Sequence, residues 1–142
     1  MSMTHDQIER CDALWRELLA AGRVRWMGGM LARADGWEPL RLAVEFLPYV
    51  WSGIAGDVVG HEHAHNVGDD AAPVWTDPAT IGCLVAMARE ATDDDAAYAC
   101  VVPGALLDGE DRWCVGLPGK RGLIQAETEP EALLLAIQAA TA

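Results

Sequence analysis

Three of the chain's four histidines fall within five positions, in the segment Asp57-Val58-Val59-Gly60-His61-Glu62-His63-Ala64-His65-Asn66-Val67-Gly68-Asp69-Asp70. Neutral imidazoles ligate metal ions near pH 7, and carboxylates supply oxygen ligands or exchange protons. On a helix, Ile54, Val58, His61 and His65 recur at steps of four, three and four, an apolar stripe leading into two imidazoles. On a strand, His61, His63 and His65 share one face at period two, as a chelating triplet or an exposed polar edge. Elsewhere the chemistry is thin. Ser52 is one of two serines and has no G-x-S-x-G elbow around it. Pro118-Gly119-Lys120-Arg121-Gly122 lacks the spacing and the Ser/Thr of a phosphate loop and reads as a turn. Cys11, Cys83, Cys100 and Cys114 form no CxxC pair, so they read as small buried hydrophobes.

His61-Glu62-His63-Ala64-His65 is a literal H-E-x-x-H and resembles the active-site helix of the zincin metallopeptidases. The resemblance implies His61 and His65 as zinc ligands and Glu62 as general base on the metal-bound water, in a compact zinc-dependent hydrolase. His65-Asn66-Val67-Gly68 is similar to the H-x-x-G extension of the metzincin subgroup. That pattern places its third ligand at Ala71, with Asp70 one residue short. A catalytic zinc needs a third protein ligand, and His63, Asp69, Asp70, Asp77 and Glu90 are the candidates. Gly53, Gly56, Gly60 and Gly68 oppose a helix here, each by about 1 kcal/mol relative to alanine. Zinc is the one cofactor this reading invokes; otherwise none is expected.

Charge points elsewhere. Ten basic against 22 acidic residues give −12 over 142 residues. Residues 1–41 hold six of each sign, so the whole excess lies in 42–142, and no Lys or Arg occurs between Arg41 and Arg89. A chain without a basic footprint is not expected to bind nucleic acid directly. An acidic surface suits a basic protein partner instead, including a nucleic-acid-binding protein whose groove it would block by imitating a phosphate backbone. Asp93-Asp94-Asp95 reads as a solvated helix end.

One hundred and forty-two residues, 51% of them hydrophobic, make about one domain with a buried core, and no apolar run approaches membrane-span length. The N-terminus has no secretory-signal pattern, and we expect a soluble cytoplasmic protein. Ile8, Cys11, Leu14, Trp15, Leu18 and Leu19 predict a first helix, begun by Thr4 or Asp6 and ended by Gly22. An extended segment, Val24 to Leu31, is expected next, then a turn at Asp35-Gly36 and a strand through Leu40, Leu42, Val44 and Phe46. Residues 48–76 have no clear period. Asp77 as N-cap and Pro78 at the first helical position launch a helix, apolar nearly all round and expected to be central. Asp108-Gly109 predicts a two-residue hairpin turn between Tyr98–Val102 and Trp113–Leu117, which puts Cys100 and Cys114 on opposite faces; Pro103-Gly104 is a competing turn signal. Leu123–Ala126 is a short strand, and Thr128-Glu129-Pro130-Glu131 a capping box for the last helix. The fold expected is α+β: a single-domain (1–142) layered sandwich of three helices and a mostly antiparallel sheet of about five strands. Six tryptophans against one phenylalanine serve mainly as core filling, and the composition is compatible with a homodimer.

Asp77-Pro78-Ala79-Thr80-Ile81-Gly82-Cys83-Leu84, Ala88-Arg89-Glu90-Ala91, Trp113 and Ala126-Glu127-Thr128-Glu129-Pro130-Glu131-Ala132-Leu133, with Trp26 and Gly29-Met30 earlier, resemble the phage ABA sandwich domain family. The resemblance covers about residues 76–140 and carries no catalytic residues. It implies a phage- or prophage-derived accessory protein in a bacterial cytoplasm. The expectation is therefore a binding protein, possible inhibitor of a basic host defence protein, with the zinc hydrolase as the alternative.

Overall fold

Thr4 begins the first helix, α1 (His5–Ala20), because its hydroxyl accepts from the Gln7 amide while the Gln7 side chain accepts from the Thr4 N–H, a closed capping box. Gly22 follows the C-cap at φ +72°, a conformation open to glycine at no steric cost. The stripe read from sequence is the one buried: Cys11, Trp15 and Leu18. The computed structural model describes residues 2–42, 67, 70–104, 109–117 and 123–140. These form two compact units, Arg25–Cys83 and the remainder, Met1–Val24 with Leu84–Ala142.

In the Arg25–Cys83 unit, β1 (Leu31–Ala34) pairs antiparallel with both β2 (Trp37–Arg41) and β3 (Ala72–Pro73), in the order β2-β1-β3. Asp35-Gly36 makes the predicted turn, with Gly36 at φ +87°. The extended segment expected over 24–31 becomes a strand only at Leu31, because the chain turns at Gly28-Gly29, where Gly29 has φ +96°. Met30, Leu31, Ala32, Leu42, Ala72 and Trp75 are buried in this unit. Trp75, from the stretch without a period, is thus core. Positions 43–66 lie outside the described residues.

The helix α2 (Pro78–Thr92) starts at Asp77 and Pro78 as predicted. It is not buried all round. Thr80, Leu84, Met87 and Ala88 are buried, while Gly82, Arg89 and Glu90 are exposed. It ends at Asp93, in the left-handed region at φ +52°, where the Asp94 N–H reaches the Arg89 carbonyl at 3.1 Å.

The other unit holds β4 (Cys100–Val102), β5 (Arg112–Gly116) and β6 (Leu123–Ala126), antiparallel in chain order, and α3 (Glu129–Ala140). Helix α3 packs on β5, β6 and α1, burying Ala132, Leu133, Leu134, Ala136 and Ile137. Each of its larger aliphatic side chains contributes about 1.5–3 kcal/mol. Three expectations are corrected here. The strands form two three-stranded sheets, six strands among the described residues, rather than one sheet of about five. The capping box at Thr128 is not closed: its buried hydroxyl accepts from no N–H of the helix's first turn, and Glu131 turns its Oε1 to the Arg10 Nε at 3.3 Å. The β4–β5 register is three residues from that predicted, with Cys100 opposite Cys114, Val101 opposite Trp113 and Val102 opposite Arg112. A two-residue turn at Asp108-Gly109 would pair even with odd positions. The connection instead begins at Pro103 and is closed by the Gly109 N–H on the Gly104 carbonyl (3.1 Å) and the Gly104 N–H on Asp111 Oδ1 (2.7 Å). A shift by an odd number of residues exchanges the faces of every side chain on the strand.

Candidate functional site

His61, Glu62, His63, His65 and Asp69 lie outside the described residues. Asp70 is described and exposed, as is Glu90 on the last turn of α2. Among the described residues no group of three or more His, Cys, Asp or Glu side chains is placed to hold a metal ion.

Asp77, considered from sequence as a third zinc ligand, has both oxygens engaged within its own unit. The Arg41 guanidinium donates to its Oδ2 at 2.5 Å and its Oδ1 at 3.0 Å. The Thr80 amide and hydroxyl donate to Oδ2 at 2.9 and 3.0 Å. The Thr80 oxygen in turn accepts the Leu31 N–H at 3.0 Å, and Arg41 also donates to the Gly29 carbonyl. Burial pushes the Asp77 carboxyl up, but the Arg41 and Thr80 donors outweigh it and hold it below the usual range. The cluster caps a helix and ties it to β1 and β2, a structural role.

The second unit carries the other notable geometry. Pairing and alternation place Cys100, Val102, Arg112, Cys114, Gly116, Leu123 and Gln125 on one face of the β4-β5-β6 sheet. Trp113, Val115, Ile124 and Ala126 occupy the other, where Val115 and Ala126 are buried. A cavity of about 250 Å³ opens on the first face, walled by Cys100, Val102, Cys114 and Leu123 and by the segment from Asp94 to Tyr98. Burial, with Cys100 close by, pushes the Cys114 thiol up. At this end of the sheet Tyr98 is 60% exposed, Val101 50% and Leu123 44%. Among the described residues β4 is an edge strand. In the segment that precedes it Asp93 and Asp95 are exposed, and Asp94 Oδ1 accepts the Ala96 N–H at 3.0 Å.

The sequence reading missed the facing of Cys100 and Cys114, since it follows from the register alone. The signal available was Pro103-Gly104, which ends β4 before the Asp108-Gly109 step can close a tight turn. No family model, no curated protein and no solved structure matches this chain.

Proposed function

We propose that the chain is a phage- or prophage-derived accessory protein that works by binding a protein with a basic surface, through the β4 end of its second sheet. The observation that carries this reading is the exposure of Tyr98 and Val101 at an edge strand within a wholly acidic stretch. From Glu90 to Asp111 the chain has seven carboxylates and no Lys or Arg. Exposed aromatic and aliphatic side chains supply contact area, an edge strand supplies unpaired backbone donors and acceptors, and surrounding carboxylates select a basic partner. A nucleic-acid-binding protein fits that chemistry, since its groove is already built for anions. The phage origin rests on the resemblance of residues 76–140.

The test is capture from a bacterial lysate on the immobilised chain, followed by titration of the isolated partner. The reading expects a partner with a basic surface whose affinity drops about tenfold or more in Tyr98→Ala/Val101→Ala and in Asp93→Asn/Asp94→Asn/Asp95→Asn. Partners indifferent to both sets of substitutions would overturn it. So would stoichiometric zinc that is lost in His61→Ala, with hydrolase activity lost in Glu62→Gln.

A further inference from the structure

Cys100 and Cys114 are direct partners across two antiparallel strands. Such partners have Cα atoms about 4.5 or 5.5 Å apart, depending on the hydrogen-bonding position. Both values lie inside the span of about 4.4–6.8 Å that a disulfide bridges. Sharing a row and a face, the two side chains project side by side, and both line the cavity of about 250 Å³. The thiols differ in access. Cys100, on the edge strand, is exposed, whereas Cys114, on the central strand, is 2% exposed. Neither cysteine is joined in a disulfide. A water molecule occupies about 30 Å³ in the liquid, so the cavity has room for a small peroxide beside the two sulfurs.

We propose that Cys100 and Cys114 form a peroxide-reactive dithiol that closes into an intramolecular cross-strand disulfide. The Cys100 thiolate attacks one oxygen of hydrogen peroxide. The O–O bond breaks, and the departing hydroxide takes up the proton that left Cys100, giving water and a Cys100 sulfenic acid. Cys114 sulfur then attacks the Cys100 sulfur, the S–O bond breaks, and the hydroxyl leaves as a second water with the Cys114 proton. Two thiols lose two electrons and two protons, and one peroxide becomes two waters. The roles follow access: Cys100 meets the oxidant, and Cys114, shielded and slow to ionise, resolves the intermediate. This site stands independently of the proposed partner.

The experiment uses the native full-length chain, treated with hydrogen peroxide, alkylated at acid pH and digested with trypsin. Cleavage after Arg89, Arg112 and Lys120 separates the two cysteines into peptides 90–112 and 113–120. The expected product is these two peptides joined, with loss of two hydrogens and release by dithiothreitol, while the buried Cys11 stays a thiol. Cys114→Ser should accumulate a Cys100 sulfenic acid trapped by dimedone, and Cys100→Ser should leave Cys114 reduced. Over-oxidation of Cys100 in the folded chain with Cys114 still a thiol would overturn the proposal. Joining only after the chain is unfolded in urea would overturn it equally.

Discussion

Asp77 shows how completely one carboxylate can be used by the fold. It caps α2 through the Thr80 amide and pairs bidentately with Arg41, whose side chain is 24% exposed. Removing it costs the cap and leaves a largely enclosed guanidinium without its anion. Asp77→Ala should lower stability by about 2–4 kcal/mol in urea melts at pH 7. Asp77→Asn keeps an acceptor for the Thr80 N–H and should cost about 1–2 kcal/mol. The pH dependence has a definite sign. The folded-state pKa lies below the ordinary 3.8. The contribution is therefore fully present above that value and is lost as pH falls through the folded pKa. Acid titration of stability should be shallower in Asp77→Asn over that window, and equal slopes would show that the ion pair contributes nothing.

Two glycines make opposite predictions about the segments that hold them. Gly82 lies mid-helix in α2, exposed, with nothing within 4 Å of where a Cβ would stand. Gly82→Ala should stabilise by about 0.5–1 kcal/mol, since alanine loses less backbone freedom on folding. At Gly104 a Cβ would collide with the Gly109 carbonyl and the Glu110 backbone, which cannot yield as a side-chain tip would. Gly104→Ala should cost about 1–3 kcal/mol and lower Tm. It should also reduce the yield of the Cys100–Cys114 disulfide, because this loop closure sets the register that brings the thiols opposite. The same logic explains why the last helix was legible: its apolar residues Leu133, Leu134 and Ile137 are buried. Its cap was less so, because Arg10 on α1, far away in sequence, draws the Glu131 carboxylate to itself.

Across the full chain the dominant quantity is charge, −12 at neutral pH, with an isoelectric point near 4.5. Association with a basic partner should therefore weaken steeply with added salt, as screening over about 10 Å at 0.1 M takes hold. It should also fade as pH approaches 4.5. Affinity that holds in high salt and at the isoelectric point would show that charge does not carry the binding. Isothermal titrations with a polyarginine peptide as probe, at two salt concentrations and two pH values, separate these outcomes. Among the described residues no helix is long and apolar enough to cross a membrane.

Local chemistry was readable along the chain. Thr4, Asp77-Pro78 and Asp35-Gly36 announced two helix starts and a hairpin because caps and turns are decided by a few neighbouring residues. The three helices and the antiparallel α+β class follow from such signals. Register, sheet membership and the engagement of single polar groups did not follow, since each depends on partners far apart in sequence. Whether Asp77 is a ligand or a cap was decided by Arg41, 36 positions earlier. That the six strands among the described residues divide into two sheets, and that Cys100 faces Cys114, came only from the pairing of strands in space. The physical reason is the two-residue period of a strand: its hydrophobic pattern limits which face is buried, but the neighbouring strand and the loop closing the pair determine what each side chain meets.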